Sequence, residues 1–337
     1  MKKLLFIYVF LFAGFLTYLY NYHLKEFASS SSNQPQDDFR GKVSEKYVMV
    51  TFLAGIDYWK TALKGFEDAA RVLNVSVEYR GATQYDVHEQ IAVLEQIIAK
   101  KPAGIAISAI NPTALTATIN KAIDAGIPVV LFDSDASSSK VHTFLGTNNY
   151  NAGVTAAHKM GELLNGRGKV SVVTLLNQLN HQERTKGFLE TIYKEYPQIE
   201  VVAVKDGRGD QLVSKQVAEE VIKQYPDLAG IFTTEANGGV GVGEAVQSVK
   251  SDKQVKIISF DTDKNTLDMV QNGTISATLA QGTWKMGYWS LQFLFQLNHN
   301  LASSQQGSIS DVLALPVYVD TGISIVTKEN VEDYYAK

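Results

Sequence analysis

The chain has 337 residues, 45% hydrophobic and 20% charged, which supplies apolar material for two cores and excludes a mainly disordered protein. The formal net charge is −4 and Lys and Arg are scattered, so no basic face tracks phosphates and nucleic acid is excluded as a partner. Cysteine is absent, which removes disulfides, thiolate metal sites, Cys nucleophiles and an N-terminal lipid-modified Cys together.

Met1-Lys2-Lys3 opens the chain and an apolar, aromatic run follows from Leu4 to Tyr20. As a helix it would span about 25 Å, close to the hydrocarbon thickness of a bilayer. The two lysines place that end inside, and Tyr18, Tyr20 and Tyr22 fit an outer aromatic belt. Residues 4–22 therefore read as a transmembrane anchor with the bulk of the chain extracytoplasmic, and 23–45, with its serine run Ser29 to Ser32, as a flexible linker. A cleaved signal peptide shares the charged start and apolar middle. Ala28, however, follows Glu26 and Phe27 and does not complete a small-x-small cleavage site.

Beyond the linker, short apolar runs alternate with amphipathic stretches: Tyr47 to Leu53 then Trp59 to Leu73, and Ala103 to Ala109 then Ala114 to Ala125. This alternation predicts parallel strands joined by right-handed crossover helices. The chain also repeats itself with a period of about 125 residues, the size of a domain. Gly65-Phe66 returns as Gly187-Phe188, and Ala103-Gly104-Ile105 with Asn111 returns as Ala229-Gly230-Ile231 with Asn237. VVLFDSD (Val129 to Asp135) returns as IISFDTD (Ile257 to Asp263), and TFLGTNNYNAG (Thr143 to Gly153) lines up with ATLAQGTWKMG (Ala277 to Gly287). The expected fold is α/β: two similar doubly wound parallel-sheet lobes with a hinge, preceded by one N-terminal transmembrane helix.

Open parallel sheets bind ligands beyond the carboxyl ends of their strands. Asp133 and Asp261 both occupy such ends, so lobes that face each other would aim both carboxylates into one cleft. Asp135, Glu235 and Asn237 also follow apolar strands, Tyr58 and Trp59 open the first helix, and His181 and Arg184 occupy the equivalent turn of the second lobe. Carboxylates, amides and aromatic rings together suit a sugar, which offers hydroxyls at its edge and C–H groups on its face. Each has a plainer reading: helix caps for the aspartates, core packing for Tyr58 and Trp59, solvation for His181, and bracing of a helix for Arg184.

Enzyme readings fare worse. GGVGVGE (Gly238 to Glu244) follows a strand, but Glu244 or Val246 stands where G-x-G-x-x-G requires its last glycine, which leaves NAD as a remote alternative. No phosphate loop, metal-ligand helix or nucleophile elbow is present in the sequence. The reading calls for no cofactor, no metal and no catalytic residue.

The opening VMVTFLAGIDYWKTALKGFEDAA, then AISAINPTAL, IPVVLFDSDA, ERTKGF, AGIFTTEANGGVGVGEAV, ISFDTD and ATLAQ resemble the type I periplasmic sugar-binding family, the ribose- and galactose-binding group related to LacI-type effector domains. The resemblance runs from about Lys46 to about Thr327. It implies that Tyr58 and Trp59 are paired aromatics that sandwich a sugar ring, that Asp133 and Asp261 are ligand aspartates, and that Gln281 is a hinge-side ligand glutamine. It also implies that Glu235 stands where ribose binders have Asn, with Asn237 as an alternative donor, and that Asp57 adds a hydroxyl acceptor. Ser134 and Gln182 replace arginines of ribose binders, leaving Arg184 on a neighbouring family arginine; another pentose, a hexose, an inositol or a furanosyl autoinducer fits as well. The implied lobes are 46–147 plus 282–314 and 148–281 plus 315–330, with crossings near Thr147, Gln281 and Leu315. Closure over the ligand would serve either an ABC permease or a membrane histidine kinase. An anchor that stays in the membrane favours the kinase.

Overall fold

The computed structural model describes residues 12–15, 17–18, 40–249, 255–301 and 315–335. In the first lobe, in chain order, β1 (Lys46–Thr51), α1 (Tyr58–Leu73), β2 (Ser76–Gly81), α2 (Val87–Ala99), β3 (Gly104–Ile107), α3 (Pro112–Asp124), β4 (Val129–Phe132) and β5 (Phe144–Gly146) alternate as the periodicity predicts. The second lobe repeats the pattern with α4 (Asn149–Leu163), β6 (Arg167–Thr174), α5 (Leu179–Glu195), β7 (Gln198–Asp206), α6 (Gln211–Gln224), β8 (Leu228–Thr233), α7 (Ala236–Ser248), β9 (Lys256–Phe260), α8 (Lys264–Gln271) and β10 (Ala277–Gln281). The chain then returns through α9 (Thr283–Asn298) and β11 (Tyr318–Asp320) to the first lobe and passes to β12 (Ile323–Val326) in the second, followed there by a 3-10 turn (Val331–Tyr334).

The two six-stranded sheets have the same order: β11-β5-β4-β3-β1-β2 and β12-β10-β9-β8-β6-β7. Every pairing is parallel except that of β12 with β10. Central strands covered on both faces need apolar side chains at every position, so β3 and β4 read as unbroken buried runs instead of alternating ones. Short polar side chains start the helices. Asn111 accepts the Ala114 N–H ahead of Pro112 at the first helical position, and Asp210 accepts that of Val213.

The repeated glycines have a shared cause. A Cβ on Gly65 of α1 would lie 2.0 Å from the carbonyl oxygen of Trp284, and one on Gly287 of α9 would lie 1.8 Å from that of Ala62. In the second lobe, Gly153 of α4 and Gly187 of α5 meet the carbonyls of Arg184 and Tyr150 at 2.0 and 2.1 Å. Each lobe therefore fastens one helix pair backbone to backbone, at matching glycines.

Among the described residues, three segments join the lobes. The chain crosses after β5, after β10 and between β11 and β12. The Thr321 N–H donates to the Gly146 carbonyl at 2.9 Å and the Gly282 N–H to that of Gly322 at 3.1 Å, which ties the crossings to one another. The third crossing does not fall near Leu315. Leu315 is buried in the first lobe's core, and β11 pairs with β5 through Asp320, so the chain changes lobe at Thr321-Gly322. The linker also ends earlier than 45, because the Gly41 N–H donates to the Leu73 carbonyl and its backbone packs where a Cβ would meet Val75 and Phe295.

The run from Leu4 to Tyr20 lies largely outside the described residues. Within it, 12–15 and 17–18 are helical, with Phe12, Phe15 and Tyr18 exposed. Among the described residues no helix is long and apolar enough to cross a membrane.

Gly65→Ala is expected to lower stability by about 3 kcal/mol or more, the upper end of overpacking costs, because the obstructing atoms are backbone. Thr61→Ala, on the exposed face of the same helix, is expected to change it little. Chemical denaturation of both variants measures the contrast.

Candidate functional site

At the end of β4 and again at the end of β9 the chain enters the left-handed region: Asp133 has φ +59° and Asp261 φ +67°. For a residue with a Cβ this costs on the order of 1 kcal/mol, and it recurs where function holds it in place. Both residues still donate their N–H into the sheet, to Leu145 and Leu279, each at 2.9 Å. The repeated motif thus encodes a repeated backbone turn that aims one carboxylate per lobe beyond the strand ends.

Arg184 joins them. It is 3% exposed, and its guanidinium lies 3.8 Å from the centre of the Phe260 ring. Its Nε donates to Asn149 Oδ1 at 2.8 Å, and its terminal nitrogens to the Thr234 carbonyl at 2.8 Å and Gln281 Oε1 at 3.1 Å. Those bonds engage three of a guanidinium's five N–H donors. Gln281 in turn donates from Nε2 to Asp261 Oδ1 at 2.7 Å and accepts from the Thr147 hydroxyl at 2.8 Å, so one amide links cation, carboxylate and the first crossing. Across the cleft, the Tyr58 hydroxyl donates to Asp133 Oδ1 at 2.5 Å and the Ser108 hydroxyl to Oδ2 at 3.0 Å.

Charge balance follows from this crowding. Burial pushes Asp261 up to about 6, against the opposing pull of Arg184 and the Gln281 bond, and the Asp133 charge pushes the same way as burial. Asp133 is raised by burial against its Tyr58 and Ser108 bonds. Burial drives the Tyr58 phenol well above its ordinary value, reinforced by Asp133 and Asp261. His181, 6% exposed with Nδ1 3.1 Å from the Thr234 carbonyl, is held well below its ordinary value by burial and then by Arg184, so it stands neutral.

Of the other expected residues, Glu235 stays within electrostatic reach of Arg184 and Asp261, and the rest sit elsewhere or do other work. Trp59 is 2% exposed in the first lobe's core, donating Nε1 to the Phe52 carbonyl at 2.8 Å. It does not pair with Tyr58 as a second cleft face, since consecutive helical residues point about 100° apart; it lies beneath the Tyr58 ring at 4.8 Å. Asp57 is exposed and ion-paired with Lys60 at 2.7 Å. Glu235 caps α7 by accepting the Asn237 and Gly238 N–H groups at 2.9 and 2.6 Å, and burial raises it to about 7 in spite of those bonds. Asn237 is exposed and donates to the Gly209 carbonyl at 3.1 Å. Asp135 is half-buried, accepts the Ala136 N–H at 2.7 Å and is raised by burial.

Sequence reasoning did not single out Asn149, Ser108 or Thr234, whose only signal was their place just after a strand or crossing. Nor did it find the contact between lobes in which Gln178, at the start of α5, donates to the hydroxyl of Tyr85, in the β2–α2 loop, at 2.5 Å. That loop is built for the purpose: Glu89 accepts the Thr83 and Gln84 N–H groups, and Tyr85 packs edge-on to Phe52. Among the described residues no cluster of three or more His, Asp or Glu could hold a metal.

Two lobes of one topology, joined by three crossings with strand-end carboxylates between them, define a bilobal small-ligand binding protein. The chain belongs to the periplasmic binding protein family, whose domain model matches residues 47–300, which places it outside the cytoplasm. It is similar to AraP, an arabinose binding protein from Geobacillus stearothermophilus, with 68% identity and a TM-score of 0.82 over 87% of this chain and 99% of that one. It is also similar to a sugar-binding protein of a sugar ABC transporter from Bacillus halodurans, at 66% identity and TM-score 0.82, over 86% of this chain and all of that one. A more distant relative is the xylose/arabinose-binding protein XylF of Sulfolobus acidocaldarius, 24% identical over 91% of this chain and 78% of that protein. These relatives are binding proteins and not enzymes.

Unfolded carboxylates titrate near 4, so ionising Asp261 in the folded chain carries a penalty that is absent below about pH 4 and complete above about pH 7. Asp261→Asn keeps a side chain that tolerates positive φ and removes the charge. In the ligand-free protein its melting temperature relative to wild type is expected to rise between about pH 5 and about pH 8. A difference independent of pH would show that Asp261 is ionised throughout.

Proposed function

We propose that the chain binds arabinose or a closely related pentose between its lobes and closes on it at the three crossings. The observation that carries this is the pair of strand-end aspartates, Asp133 and Asp261, turned by the same left-handed backbone toward one buried cation. The pentose assignment is supported by the 68% identity with an arabinose binding protein across almost its full length. Ionised acceptors and a guanidinium with spare donors suit vicinal hydroxyls, and the Tyr58 ring offers a face to ring C–H groups. Ligand hydroxyls compete with Tyr58 and Gln281 for the carboxylates, so binding exchanges internal hydrogen bonds for ones that span the cleft. A ligand held by both lobes stabilises the closed form over the open one, with no covalent step.

We infer that this closure serves sugar sensing by a membrane-tethered protein. The apolar run from Leu4 to Tyr20 is of spanning length, and a tethered protein is confined beside a lateral membrane partner. Similarity to a chain of a XylFII-LytSN complex, 25% identical with TM-score 0.72, supports a protein partner for that closed form, and a membrane receptor or histidine kinase is the partner this reading expects. Delivery to an ABC permease is the second reading, favoured by the likeness to a sugar ABC transporter's binding protein.

Calorimetric titration with pentoses, hexoses and inositols is expected to give a saturable heat with arabinose that does not change on long incubation. Asp133→Ala and Asp261→Ala should each weaken it by about 100-fold or more, because hydroxyls closed into the cleft go unpaired. Undiminished affinity in both variants would remove the site. For the role, deletion of the gene is expected to abolish arabinose-dependent transcription while labelled arabinose still enters the cell; loss of uptake would instead establish delivery.

A further inference from the structure

The first lobe has a pole opposite the cleft, formed by the starts of β1, β3 and β4 and the ends of α1 and α9. The chain enters there. Gly41 is pinned by its bond to the Leu73 carbonyl and by the Asn74 side chain, which donates to its carbonyl at 3.0 Å. Beside that entry lies a concavity of about 480 Å³ bordered by Ser44, Glu45, Lys46, Lys100, Lys101 and Asn298.

Its charges do not cancel. Lys46, Lys100 and Arg80 share the carboxylate of Glu78, at 3.5, 3.8 and 2.6 Å. Glu45 is spent on the Lys42 N–H at 3.0 Å and on His299 at 2.8 Å. With Lys42 and Lys101 the rim carries a surplus of positive charge, and Val43, Val72 and Leu301 are exposed at the same end.

We propose that this pole docks on the anionic headgroups of the membrane in which the chain is tethered; the proposal rests on the tethered reading above. Two observations select that occupant: the rim's charge complements anionic lipid, and the segment bearing the apolar run joins the lobe at this pole. Tyr22 and Arg40 lie 18 positions apart, and even a fully extended chain of that length holds the pole within about 65 Å of the bilayer, which makes docking effectively intramolecular. A lysine cluster too weak to hold a free protein on a membrane is then sufficient. Docked pole-down, the lobe turns its cleft away from the bilayer. A pore in the membrane cannot receive ligand from that orientation, whereas a neighbouring receptor with an ectodomain can engage it.

The absence of cysteine allows a single label. The full chain carrying Val43→Cys, or Tyr193→Cys on the second lobe as control, is labelled and mixed with headgroup-labelled vesicles of phosphatidylcholine alone or with phosphatidylglycerol added. Phosphatidylglycerol is expected to raise energy transfer at position 43 and not at 193, and high salt to reverse it. Each lysine removed in the series Lys46→Gln, Lys100→Gln, Lys101→Gln should lower the docked-to-undocked ratio about fivefold, while arabinose affinity stays at the wild-type value. Equal transfer on both lipids, a rise at 193 instead of 43, or a phosphatidylglycerol effect that survives the triple substitution would overturn docking. Flotation only with phosphatidylglycerol, lost in the triple variant, would retain docking and remove the tether. Flotation with neither vesicle would remove both, and binding of soluble polyphosphate without any lipid response would reassign the pole to a soluble polyanion.

Discussion

A guanidinium buried to 3% exposure must be surrounded by acceptors or it unfolds its host, and Arg184 sets this requirement on much of the molecule. Its bonds reach α4 through Asn149, the end of β8 through Thr234 and the end of β10 through Gln281, and its face is stacked on Phe260. Asp261 and Asp133 supply opposite charge from two lobes. The carboxylates would repel each other in so enclosed a place without the cation between them, and the cation would be too costly without the carboxylates. A ligand rich in hydroxyls fits such a balance because it can accept from the cation and donate to the anions without changing the net charge.

Around this centre the duplication acts as a construction rule. The glycine pairs, Gly65 with Gly287 and Gly153 with Gly187, hold one helix pair of each lobe at backbone contact, which fixes where the helices begin relative to the strand ends. Tyr58 and Arg184 stand in the first helical turns or just beyond in the two lobes, so the same packing device positions an aromatic hydroxyl on one side and a cation on the other. One scaffold is used twice, with different chemistry mounted on it.

The sequence displayed the repeat, the parallel alternation and the two aspartates, because each leaves a local pattern of residue types. It did not display which face of α1 Trp59 would take: two adjacent aromatics look alike in a string, and only core packing assigns one inward to Phe52 and Phe132. Asp57 was legible as a helix-start carboxylate, but a surface ion pair needs the same residue types as a ligand contact, while Glu235 combines a helix cap with a place near Arg184 and Asp261 that the strand end alone did not reveal. Leu315 misplaced the third crossing because β11 is only three residues long and carries no periodicity to mark its sheet. The Gln178–Tyr85 contact lies between segments 93 residues apart and has no signature in either.

The crossings are fastened both by main-chain bonds, Thr321 to Gly146 and Gly282 to Gly322, and by side chains, the Thr147 hydroxyl to Gln281 and the Asn148 N–H to Asp320. The main-chain bonds depend on the glycines that make them, since a Cβ on Gly282 would lie 2.3 Å from the Thr321 carbonyl oxygen and Gly322 has φ +78°. Gln281 bonds Arg184 and Asp261 as well as Thr147, so the candidate site and the pivot share a residue. A substitution at Gln281 therefore reaches the cleft and the crossings together, and neither can change there without the other.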